Sequence, residues 1–331
     1  MTAASMRAIL SAVGVALLMG ASAFTQEPLS LVQSITLPQV EGRIDHLAFD
    51  AMSNRLFVAA LGNNTVEVLD LNAGAHLKRL PGFREPQGIA ALADARMIAV
   101  ANGQGEGLQL LNADDLRLGQ AIRLGDDADN VRYDATAKRL YVGYGAGAIA
   151  TVNPADGKTG GQAKLPGHPE SFQLEQSGPR LFVNVPTASL VAVIDRNTMK
   201  ITASWPVTGA KSNYPMALDE TGHRLFVGCR NPAKVLVYDT TTGKDISAFE
   251  IVGDTDDLFY DSARQRLYVS GGEGYIDAFQ IDDASRAMRM AHVATAAGAR
   301  TSLFVPDQNR LFLAVPHRGN QQAEIRIYQV R

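Results

Sequence analysis

One cysteine and one tryptophan occur among 331 residues, and aromatic side chains make up only 7%. A lone Cys229 excludes an intramolecular disulfide framework. It ends the apolar stretch Leu225-Phe226-Val227-Gly228-Cys229 with no activating group beside it, so a buried, inert thiol is expected. Charge of one sign is also missing: 31 basic against 34 acidic residues leave a net charge of −3. A nucleic-acid partner, which calls for a strongly basic face, is therefore not expected. There is no phosphate-cradling glycine loop, no Cys/His zinc spacing and no Gly-x-Ser-x-Gly elbow. No later apolar run approaches the roughly 20 residues that cross a bilayer, so no transmembrane anchor is expected.

The longest apolar run lies at the start. Met1 to Arg7 is weakly positive, Ala8 to Met19 is continuously apolar, and Ala21-Ser22-Ala23 has the small-x-small form of a cleavage site. Residues 1–23 therefore read as a secretory signal cut near Ala23, which would place the protein in the periplasm or outside the cell. A buried N-terminal helix is the structural alternative. With no cysteine after the run, a lipid anchor is not expected.

Residues 24–331 are dominated by a repeat in which a basic residue precedes an apolar strand. Its copies begin at Arg55, Arg96, Arg139, Arg180, Arg224, Arg266 and Arg310, at intervals of 41 to 44 residues. Short β-branched and aromatic strands separated by Gly, Pro, Asn and Asp, repeating with this period, are the signature of propeller blades. The fifth copy shows four strands, Pro215 to Asp219, Arg224 to Cys229, Lys234 to Asp239 and Asp245 to Val252. The seventh stops after its third strand, Glu324 to Val330, and Leu29 to Leu37 supplies the fourth from the other end of the chain. The expected fold is all-β, a single seven-bladed β-propeller of four-stranded antiparallel blades closed by pairing the N-terminal strand with the C-terminal blade. A six-bladed ring with a spare repeat is the alternative. The strings Leu190-Val-Ala-Val-Ile-Asp-Arg-Asn-Thr-Met-Lys and Lys234-Val-Leu-Val-Tyr-Asp-Thr-Thr-Thr-Gly-Lys, with preceding strands such as Arg139-Leu-Tyr-Val-Gly, resemble the YVTN family of β-propeller repeats. That resemblance implies the fold and an exported setting, and implies no particular chemistry.

In such a blade the start of the innermost strand faces the mouth of the central channel. Counting back from the repeat arginines places Asp45-His46, Gln87-Gly88, Asp129-Asn130, Glu170-Ser171, Tyr214-Pro215, Asp256-Asp257 and Arg300-Thr301 at that mouth. Two like charges about 4 Å apart cost about 4 kcal/mol at an effective dielectric of 20, so converging carboxylates call for protonation, an arginine or a cation. Asp45, Asp129, Asn130, Glu170, Asp256 and Asp257 form the candidate set for a divalent metal, calcium or another, which takes oxygen ligands of this kind. His46 and Arg300 are the catalytic candidates, His46 as a base or a transition-metal ligand. His168, Lys211, Arg230 and His317 reach the same face and are candidates to hold a small, anionic molecule. Against this, Asp and Asn before a strand also make local Asx turns, and loop arginines are often merely solvated. The expectation is an exported propeller with an acidic axial pocket for a divalent cation and a small-molecule ligand. It would act as a metal-assisted hydrolase of lactonase or esterase type, or as a lyase. The alternative is a non-catalytic binding propeller with a protein partner at the cell envelope.

Overall fold

The computed structural model describes residues 27–105 and 107–331. The segment read as a secretory signal, residues 1–23, lies outside the described residues. The rest forms seven four-stranded antiparallel sheets arranged as the blades of a propeller. The last blade is ordered as the sequence requires: Leu29–Thr36 pairs with Glu324–Val330, followed by Arg310–Val315 and Ser302–Val305. Closing the ring through this pair leaves no unpaired edge between the first and last blades. Among the described residues no helix is long and apolar enough to cross a membrane.

Burial follows position within the blade. Middle strands such as Arg55–Ala60 are covered on both faces by neighbouring blades and are almost continuously apolar. Outermost strands such as Ala75–Pro81 are largely exposed. The apolar residues form seven clusters, one at each seam between blades. Ile35, Leu47, Leu56, Phe312 and Ile325 join blade seven to blade one, and Trp205 joins Phe182 to Tyr238 across blades four and five. Trp205 is thus a packing residue, and Cys229 is a buried free thiol in the same seam.

Four of the seven repeat arginines fasten these seams. Arg55 donates to the carbonyls of Ala113 and Asp114, Arg180 to Thr240, Arg224 to Asp282 and Arg266 to Arg331, each in the following blade. A construction role explains why the residue recurs. Asp50, Asp134, Asp219 and Asp261, which end innermost strands, cap the following turn through bonds to backbone N–H groups two or three residues on.

The fifth blade departs from its sequence boundaries. Its innermost strand runs Lys211–Asp219, beginning four residues before Pro215, because pairing resumes beyond an irregular step between Asn213 and Met216. Pro215 falls within that step, where its missing N–H interrupts no ladder bond.

Candidate metal centre

Four innermost strands enter the mouth of the channel through an irregular step, and the other three begin regular pairing only beyond it. The register breaks between Pro86 and Ile89, Ala128 and Val131, Asn213 and Met216, and Thr255 and Asp257. In blades one, four and seven regular pairing begins only at Leu47, Phe172 and Ser302. Aligned on this step, Asp45, Gln87, Asp129, Glu170, Tyr214, Asp256 and Arg300 occupy one position around the ring. His46, Gly88, Asn130, Ser171, Pro215, Asp257 and Thr301 occupy the next. The pairs counted from the arginines therefore share one register. In blade two the arginine itself is displaced: Met97 opens the second strand and Arg96 turns back to Asp50 and Asp114. Bulges of this kind re-aim side chains and are common beside functional sites.

Gly88, the plainest member of the ring, is sterically required. A Cβ there would lie 1.9 Å from the Asp129 carbonyl oxygen, so blade two must be bare for blade three's mouth to sit against it.

The mouth aspartates are not Asx caps. Among the described residues Asp45 and Asp256 accept from arginine side chains and Asp129 faces His168, none of them accepting from its own local backbone. Arg43 Nη2 lies 2.5 Å from Asp45, whose other oxygen is 3.6 Å from His46 Nε2. Arg230 Nη2 lies 2.5 Å from Asp256, and Arg300 bridges Asp256 at 3.0 Å and Asp254 at 2.9 Å. Asp257 accepts the Ser302 N–H at 2.8 Å and lies 3.6 Å from His46 Nδ1, reaching across blade seven to blade one. Burial alone would lower the His46 pKa, but Asp257, Asp45 and Asp129 outweigh it and push it up to about 10. The shift favours the protonated imidazole as a counter-charge to these carboxylates. Burial raises the Asp256 carboxyl, helped by Asp45 and opposed by Arg230 and Arg300, to about 6.

Asp129, Glu170 and His168 form a separate group. One donor atom from each lies within 4.8 Å of the other two, close enough for all three to hold one metal ion. His168 Nδ1 is 2.6 Å from the Gly145 carbonyl oxygen and 3.2 Å from Asp127, both acceptors, so its proton sits on Nδ1. That leaves Nε2, 3.8 Å from Asp129, as the ring atom that faces the carboxylates. Without a cation the group balances itself with protons. Burial would lower the His168 pKa, but its bonds to Asp129 and Gly145 and the nearby aspartates raise it. Burial would raise Asp129, but His168, His46 and Arg43 hold it below the usual carboxylate range. Glu170 is pushed up to about 8 by burial and by Asp129 and Asp256, against His168 and Arg230. Beside this group, Asn130 is buried and its Oδ1 has no hydrogen-bond partner. A buried acceptor left open costs about 1–3 kcal/mol.

The remaining candidates lie further out. Arg230 sits over the Tyr214 ring at 3.9 Å. Lys211 is exposed at the start of its strand. His317 is 2.8 Å from Glu41 and borders a rim cavity of about 260 Å³ with Arg43, Arg300 and Arg318. Arg43 and the Gly145 carbonyl were not visible as site groups from sequence. Arg43 stands two residues before Asp45, just outside a window of two residues per blade. The Gly145 carbonyl carries no residue signal at all.

No family model matches the chain, and no curated protein matches it. A chain in a solved structure described as the crystal structure of mitotic checkpoint complex superposes with a TM-score of 0.78. The match covers 98% of this chain and 99% of that one at 11% identity, a likeness of fold alone.

Proposed function

We propose that this propeller binds a divalent cation through Asp129, His168 and Glu170 and a small anionic molecule beside it. The observation that carries the reading is the convergence of three donors within 4.8 Å, with the imidazole oriented by a backbone carbonyl. Metal-bound histidines commonly donate their second N–H in this way, which fixes the tautomer and strengthens the ligand. Two carboxylates and one imidazole suit Mn²⁺ or Zn²⁺ better than Ca²⁺, which takes six to eight oxygens. Three protein donors leave open positions for water or substrate, as in catalytic rather than structural sites.

The basic rim formed by Arg43, Arg300 and Arg318 favours an anionic molecule. In the enzymatic form of this reading Asp129, His168 and Glu170 would hold a cation that polarises an ester or lactone carbonyl. Water would add to the carbonyl carbon and give up its proton to solvent, and protonated His46 would supply a proton to the departing oxygen. The signal-like N-terminus and the resemblance to YVTN repeats are what support a periplasmic or extracellular setting for this activity.

Metal analysis of the purified protein, combined with a panel of lactones and aryl esters, tests the proposal. Stoichiometric metal and cation-dependent turnover, both lost in Glu170→Gln, would support the hydrolase form. Bound metal without turnover across the panel would leave the binding form. Metal-free protein indifferent to that substitution would overturn both.

A further inference from the structure

Below the mouth, the innermost strands enclose an axial cavity of about 640 Å³ reaching from His46 and Asp257 toward Asp94 on the opposite face. One position in each innermost strand, two residues past the irregular step, repeats around the ring. It is Ala48, Ala90, Gln173, Ala217, Phe259 and Leu303 in six blades. In blade three it is Arg132. The position is uncharged everywhere else and lines the cavity in all but one of those six blades.

Burial works against the Arg132 charge, and Asp257 and Asp129 offset it only at longer range. Its Nη1 donates to the carbonyl of Val131 at 2.9 Å, and its guanidinium stands 5.5 Å from the centre of the Phe172 ring. Among the described residues no carboxylate is in ion-pair contact with it. The other charges of the lining are engaged: Asp257 with Ser302 and His46, and Asp94 with the Tyr133 hydroxyl at 2.8 Å. Leu47, Ile89, Val131 and Leu303 make the wall between them apolar. A charge in an apolar enclosure is stable only with a counter-charge, and a guanidinium matches a carboxylate in shape as well as sign.

We infer that this axial cavity binds an organic monoanion, a single carboxylate on an apolar body, with the carboxylate on Arg132 and the body along the apolar wall. A dianion would be opposed by Asp257 and Asp129. The cavity lining contains none of Asp129, His168 and Glu170, although Asp129 acts on Arg132 at longer range.

Octanoate, with octanol and chloride as controls, tests this by calorimetry on the full chain. One octanoate should bind per chain, more tightly than octanol. Arg132→Gln should weaken octanoate by about 10–100-fold, the scale of one charge-assisted contact, with little change for octanol. Ala91→Trp, which adds bulk to the cavity lining from the neighbouring blade, should abolish binding of both. Glu170→Gln should leave octanoate binding unchanged, which separates this result from the fate of the cation site. Absence of saturable octanoate binding would overturn the inference. So would equal binding in folded Arg132→Gln, or full displacement by chloride at millimolar concentration. If Arg132→Gln fails to fold, unaltered binding in Ala91→Trp would do so alone.

Discussion

His168 Nδ1 stands 2.6 Å from the carbonyl oxygen of Gly145, a contact between the entry to blade four and the second turn of blade three. It fixes which ring nitrogen faces Asp129 before any ligand arrives. In the Zn²⁺-loaded protein, long-range ¹H–¹⁵N spectra should therefore show His168 protonated on Nδ1 and coordinated through Nε2. A proton on Nε2 in that state would remove His168 from the ligand set.

Gly88→Ala should damage fold and site together. The added Cβ has backbone, not a flexible side chain, in its way, and the nearest atom belongs to Asp129. Overpacking of this kind costs about 1–3 kcal/mol. Urea unfolding should show that loss, and the variant should bind a cation more weakly than the parent because Asp129 has been displaced.

Acid should weaken the blades through carboxylates far from the mouth. Asp50 would be raised by burial, but bonds from Arg96 and Ser53 hold it below its ordinary range, and Arg180 does the same for Glu175. Such groups resist protonation more in the folded chain than in the unfolded one. Their contribution is present above the ordinary carboxylate range, about 3.9–4.3, and is lost as pH falls below it. Asp50→Asn and Glu175→Gln should each cost about 1–3 kcal/mol at pH 7 and make the decline in stability below pH 4 shallower. Parallel melting curves across pH would check both effects.

Ring closure should be sensitive to single side chains of the N-terminal strand. Ile35 is 3% exposed in the seam between blades seven and one, whereas Leu31 on the same strand is 51% exposed. Ile35→Ala should cost about 2–5 kcal/mol in urea unfolding, and Leu31→Ala less than about 0.5 kcal/mol.

The ring was legible because each blade restates it. An arginine with an apolar strand behind it recurs seven times, and the incomplete seventh copy already implied the closing strand at Leu29. The mouth pairs were legible for the same reason, since they keep a constant distance from that arginine except in blade two. Their grouping was not. Nothing in the order of residues says that Asp256 turns to Arg230 and Arg300 while Glu170 turns to Asp129 and His168; side-chain reach across blades decides it. Arg132 could have been found by extending the same blade-to-blade comparison two residues further into the channel.

Calorimetric titration of the metal-free protein with Mn²⁺ tests the central claim most directly. One saturable site per chain is expected, weakened at least about tenfold in Asp129→Asn and in Glu170→Gln. No saturable binding by the parent protein, or identical binding by both variants, would contradict it.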